Sequence, residues 1–244
     1  MNKAFCKKRC IFSLILTVCL IFFNLSCGLD TFYELNAPDN VIHKPDCSSI
    51  DYTDNYFDFF SASKPDTGIP IKFIGTDVYY KIYKSSTRLN SEADDLISIA
   101  NKSDSASATA ERMIQSYKFQ PLRASGHEDD NVLFPIKKEN DDGRHHVNIR
   151  LSTYTLYPAY ITIDSGDSIG IPIRNLPKKT GFNFKTSLPD TIPESTDADV
   201  NTSGSSSDSD WYVSMFAVAV GQDSSYAPVY SNVLYLGSVR IPLE

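Results

Sequence analysis

The sequence predicts a mainly β chain: an antiparallel β-sandwich with a short two-helix insertion. Three observations carry this. Runs of four to ten residues rich in Val, Ile, Tyr and Phe recur along the chain, separated by Gly, Pro, Asp and Ser clusters, which is how short strands and turns read. Helical periodicity is confined to about residues 90–117. The strongest apolar run, Trp211–Val220, has apolar residues on both faces, as a strand covered on both sides does.

The elements follow in chain order. Residues 27–50 read as a tether and a first strand near Leu35–Ile42, whose Pro38 suits a sheet edge. Tyr56–Phe60 is strand-like, and Lys64–Gly68 is a turn, since Pro65 presets φ and Gly68 accepts positive φ. In Gly75–Tyr83, Val78, Tyr80 and Ile82 share one face, and Asp77, Tyr79, Lys81 and Tyr83 the other. Ser91 with Asp94 has the capping-box form, so a helix is expected over Ser91–Lys102. A second helix is expected over Ser107–Ser116, with Met113 and Ile114 as core contacts. Both helices are short and must dock on something larger.

Val132–Ile136 reads as a strand, followed by a charged hairpin turn at Asp142-Gly143. His145–Tyr154 alternates, and Tyr157–Ile163 and Ile169–Ile173 follow as strands around a turn at Asp164–Ser168. The stretch 187–210 is rich in Ser, Asp and Thr and is expected to be a mobile surface loop. Val229–Leu236 closes a hairpin on Trp211–Val220, and Val239–Leu243 extends it. The sandwich domain thus spans 51–244.

The N-terminus gives an address. Lys3, Lys7, Lys8 and Arg9 precede an apolar run from Ile11 to Phe23, shorter than a bilayer span, and Ser26 is a small residue before Cys27. Leu25-Ser26-Cys27 resembles the lipobox of bacterial lipoproteins, in the loose form found among spirochaete (Treponema-type) members. The resemblance implies a signal peptide over 1–26, cleavage between Ser26 and Cys27, and acylation of Cys27 by fatty chains of the palmitate kind. The expected location is the cell envelope, on the extracytoplasmic side of the outer or cytoplasmic membrane. Two or three chains anchor stably where one is marginal, at about 0.8 kcal/mol per buried CH₂. An ordinary signal peptide with an incidental cysteine and a retained anchor are the alternatives.

Loss of the four basic residues of 1–26 takes the net charge from −7 to −11. That acidity argues against nucleic acid as a partner. Cys6, Cys10 and Cys19 leave with the leader and Cys27 is acylated, so Cys47 stands alone, without a disulfide partner, as a tolerated loop thiol.

No phosphate-binding Gly loop, dinucleotide fingerprint, Gly-x-Ser-x-Gly elbow or His-Glu-x-x-His pattern occurs, so no catalytic residue, cofactor or metal is assigned. His145-His146 cannot chelate one ion, because neighbours on a strand face opposite sides; a solvent-facing strand start is expected. Glu128-Asp129-Asp130 and Glu139-Asn-Asp141-Asp142 read as solvated loop charge, with weak Ca²⁺ binding as the alternative. Asp197-x-Asp199-x-Asn201 begins like a calcium loop but lacks the turn Gly at Thr202 and the twelfth-place Glu at Asp208. Fourteen Tyr and fourteen Phe could furnish a binding surface; a sandwich core and its strand faces use aromatics anyway.

Gly75–Tyr83 and the Trp211–Tyr230 hairpin resemble strands of fibronectin type III or related immunoglobulin-like sandwiches. Together with the lipobox, the resemblance implies a membrane-anchored lipoprotein, held through Cys27, whose sandwich is a non-catalytic interaction or adhesion module with a protein or glycan ligand. An envelope carbohydrate-binding or glycan-processing protein, and a structural or transport-associated lipoprotein with an apolar pocket beside Met113 and Ile114, are the alternatives.

Overall fold

The computed structural model describes residues 34–65, 68, 70–102, 106–136, 141–153, 157–164, 166–176, 184, 193–204 and 210–241. The expected signal peptide, Ser26, Cys27 and the start of the tether lie outside the described residues. Among the described residues, no helix is long and apolar enough to cross a membrane.

The chain is mainly β, with antiparallel sheets and two helices. One sheet has five strands: β1 (Asp39–His43), β2 (Phe57–Phe60), β7 (His146–Arg150), β8 (Tyr160–Ile163) and β9 (Asp167–Gly170), in that spatial order. The second sheet is centred on two twelve-residue strands, β3 (Lys72–Tyr83) and β12 (Trp211–Gln222), paired antiparallel along almost their whole length. Strands β13 (Pro228–Tyr230) and β14 (Leu234–Ile241) pair with β12, and the short β4 (Gln120–Pro121) and β6 (Phe134–Pro135) pair with β3. A two-stranded ribbon joins β5 (Arg123–Ala124) to β10 (Pro172–Ile173).

The alternation of β3 and β12 sorts their side chains into two cores. Val78, Tyr80 and Ile82, with Val213, Met215 and Ala217, meet Phe57, Phe59, Val147, Ile149 and Ile161 of the five-stranded sheet. Tyr79, Tyr83, Tyr212, Phe216 and Val218 point the other way and meet Leu89, Ala93, Leu96, Ala110 and Met113 of the helices. Sheet, sheet and helices therefore form three layers, and the middle sheet is covered on both sides. Each large apolar side chain buried this way contributes about 1.5–3 kcal/mol.

Helix α1 spans Ser86–Ala100, five residues earlier than the capping-box reading. Its N-cap is Ser85, whose hydroxyl accepts from the Arg88 amide at 3.4 Å; Ser91 is an exposed interior residue. The first turn is held because Leu89 and Glu92 are both drawn into the sheet–helix interface. There Glu92 accepts from Lys81 Nζ at 2.9 Å and from the Tyr83 hydroxyl at 2.8 Å, and pairs with Arg88. Helix α2 spans Ala106–Glu111 and widens into a π turn over Arg112–Ser116, close to the expected extent, with Met113 fully buried.

Three other expectations are corrected. The strands flanking Asp142-Gly143 do not form a hairpin: β6 joins the middle sheet and β7 the five-stranded one. Gly143, at φ +78°, sits in a crossing between layers, where a Cβ would meet Ile136 at 2.6 Å. The stretch 187–210 is not a loop throughout, since β11 (Val200–Asn201) pairs in parallel with β3 and Asp199 is fully buried; residues 187–192 and 205–209 lie outside the described residues. Cys47 does sit in a turn, as expected, but it is buried against the helical core, its amide donating to Ser238 Oγ at 3.2 Å.

Candidate functional site

Both faces of the middle sheet are covered, whereas the outer face of the five-stranded sheet carries no described layer. Along β2, Phe57 and Phe59 face the core, so Asp58 and Phe60 face out. Along β7, Val147 and Ile149 face in, so His146, Asn148 and Arg150 face out. Register then fixes the outward neighbours: Asp58 lies opposite Asn148, Phe60 opposite His146, and Arg150 opposite Tyr160.

The centre of this face is Arg150. Its Nη1 donates to the Tyr52 carbonyl at 2.8 Å and its Nη2 to the Thr53 carbonyl at 2.9 Å. Those carbonyls belong to a 3₁₀ turn over Tyr52–Asp54, capped by Asp51, which accepts from the Thr53 amide. The guanidinium lies 5.2 Å from the Tyr157 ring, 5.5 Å from Tyr56 and 5.9 Å from Tyr160, within the range of cation–π attraction. Only 5% of Arg150 is exposed. It acts as a hub that holds three tyrosines.

Neighbouring groups are fixed as well. His43 stacks on Tyr56 at 4.0 Å and bonds the Asp54 carbonyl. The Tyr160 hydroxyl donates to Asn148 at 2.7 Å, and burial raises its phenol above the ordinary value against the lowering pull of Arg150. His146 Nε2 sits 2.6 Å from Asp58, its ring stacked on Phe60, and Arg144 lies over the Phe60 ring at 4.9 Å and pairs with Asp39. The result is an array of tyrosines with Arg, His, Asn and Asp between them, each held by a hydrogen bond or a ring contact. Tyrosine and arginine presented at low conformational cost are the side chains from which recognition surfaces are built.

The residues singled out by sequence fall elsewhere, with one exception. His145 and His146 do face opposite sides: His146 joins the outer face, while His145 turns to a cleft and bonds Asp164 at 2.9 Å. His145 is thus partly enclosed rather than a solvated strand start. Asp130 pairs with His127 at 3.1 Å, Glu128 accepts from the Gly126 amide, and Asp142 from the Arg144 amide. Glu139 lies outside the described residues. The calcium-like Asp197 and Asp199 both bind the buried Arg174 guanidinium, and Asn201 Oδ1 accepts from the Ser203 amide, so those oxygens are already engaged. Among the described residues, no group of three or more His, Cys, Asp or Glu is placed to hold a metal ion.

Sequence reasoning missed Arg150, Tyr157, Tyr160 and His43. The alternation of 145–151 places His146, Asn148 and Arg150 on one face, but their partners come from other strands and from the loop before β2. No family model, curated protein or solved structure matches the chain.

Proposed function

We propose that the chain is an envelope lipoprotein, tethered through acylated Cys27, whose sandwich is a non-catalytic recognition module that meets a protein partner with the outer face of its five-stranded sheet. The observation that carries the reading is the Arg150 hub, which orders tyrosines and polar groups on the strand face that no described layer covers. The outward face of a sheet suits a protein partner, where a small molecule takes a concave site. The finer likeness to an immunoglobulin-type sandwich is supported by strand order: β1-β2-β7 lies opposite β3-β12-β14, as strands A-B-E lie opposite C-F-G. Strands β8 and β9 and the helices are additions to that plan.

A glycan is the second reading, favoured by Tyr157, which is 42% exposed beside Arg150. A photo-crosslinking residue placed at Tyr157 of the full chain in its own envelope should yield a discrete protein adduct. The adduct should vanish with Arg150→Ala and be absent when the crosslinker replaces Thr87 on helix α1. Equal adducts from both sites, or none, would overturn the protein reading; glycan-array binding lost with Tyr157→Ala would favour the second.

A further inference from the structure

A cleft on the opposite side of β7 from the tyrosine face has the makings of a small-molecule site. Its floor is apolar: Leu133, Phe134, Ile163 and Ile169, drawn from both sheets. Its rim carries His127, Asp130, Asp141 and His145. The enclosed space is about 70 Å³, room for a short aliphatic group rather than a drug-sized ligand.

The rim is built rather than incidental. The β8–β9 turn holds Asp164 at φ +50°, where its Oδ1 accepts from the His146 amide and its Oδ2 meets His145 Nδ1 at 2.9 Å. In the tautomer that donates Nδ1–H to Asp164, Nε2 of His145 is an acceptor. That nitrogen lies 3.7 Å from Asp141 Oδ1, too far for a direct hydrogen bond. Asp141 is itself fixed by accepting from the Gly143 amide at 2.9 Å, and His145 by exchanging backbone and side-chain hydrogen bonds with Ser61. Across the mouth, Asp130 pairs with His127. Two carboxylates and an imidazole acceptor thus surround the opening of an apolar cavity.

We propose that this cleft binds a small organic ammonium ion, its aliphatic or aromatic group on the Phe134–Ile163–Ile169 floor and its N–H donors shared by Asp130, Asp141 and His145 Nε2. Charge decides the class: the rim supplies acceptors and negative charge, so an ammonium gains charge-assisted hydrogen bonds where an alcohol gains neutral ones and a carboxylate is repelled. The site is independent of the tyrosine face, and loss of either leaves the other standing.

The test uses the full chain and three probes of one shape: isoamylammonium, isoamyl alcohol and isovalerate. Methyl NMR at Ile163 and Ile169 reads occupancy. The ammonium should saturate those shifts at a concentration at least about tenfold below that for the alcohol, with isovalerate weakest. Asp130→Asn, on the exposed rim, and Asp141→Asn should each weaken the ammonium and leave the alcohol unchanged. Equal affinity for the three probes, preference for isovalerate, or no shift at Ile163 and Ile169 in the unmutated chain would overturn the proposal.

Discussion

At the scale of single residues, the molecule is distinguished by charged side chains taken out of water and then satisfied. Arg174 is among the largest fully buried side chains, and its Nε and Nη2 reach the two oxygens of Asp199 at 2.7 and 2.6 Å. Tyr80 donates to the same carboxylate at 2.8 Å. Asp77 is held similarly by Arg123 at 2.9 Å and by the amides of Val78 and Leu133. Such pairs stabilise little beyond apolar packing, but losing one partner strands a buried charge. Asp199→Ala should therefore lower the unfolding free energy by about 3–5 kcal/mol, measured by urea denaturation; a change under about 1 kcal/mol would mean that the guanidinium finds water instead. Cys47 is the converse case. Burial pushes its thiol above the ordinary value, so it behaves as a small core hydrophobe rather than a nucleophile.

At the scale of elements, boundaries follow burial more than local signals. Ser91 with Asp94 satisfies the capping-box pattern, yet helix α1 starts at Ser86, because Leu89 and Glu92 gain partners only if the helix already runs through them. Ser85→Ala should cost about 1 kcal/mol, whereas Ser91→Ala should fall within about 0.5 kcal/mol of zero. Thermal unfolding of the two variants side by side checks this, and a larger loss at Ser91 would restore the capping-box start. Strand β14 makes the same point. Met215 pairs with Gly237 and Phe216 with Tyr235, leaving Leu236 as the extra residue of a bulge. The bulge shifts the alternation by one, so Leu234 and Leu236 reach the same core as Val239 and Ile241. Gly237 allows it at φ +119°, with the Pro45 carbonyl 2.5 Å from where a Cβ would be.

At the scale of the whole molecule, the middle sheet joins both cores, and tyrosines line it. Burial raises the phenols of Tyr79, Tyr80, Tyr83 and Tyr235 above their ordinary value. A group whose folded pKa lies above its unfolded one contributes stability that is complete below the unfolded value and lost as pH rises through the folded one. Urea midpoints should therefore show no tyrosine-linked decline below about pH 10 and should fall beyond it. Absorbance titration should show these phenols ionising only as the protein unfolds. A full complement ionising near pH 10 in the folded state would contradict the three-layer packing.

Sequence alone determined the class of fold, the two faces of Gly75–Tyr83, the covered strand at Trp211–Val220 and the insertion carrying Met113. Each is written in a local periodicity, of two or of about 3.6 residues, that burial enforces. The expected lipobox and its Cys27 are likewise a local pattern. Only the tertiary structure decided which strands the Asp142-Gly143 turn connects, that Asp199 is buried rather than solvated, and that Arg150 gathers tyrosines at 56, 157 and 160. Those outcomes depend on groups far apart in the chain meeting across a sheet or between layers. A buried charge is stable only beside its partner, and an outward strand face acquires its character only when the register is set.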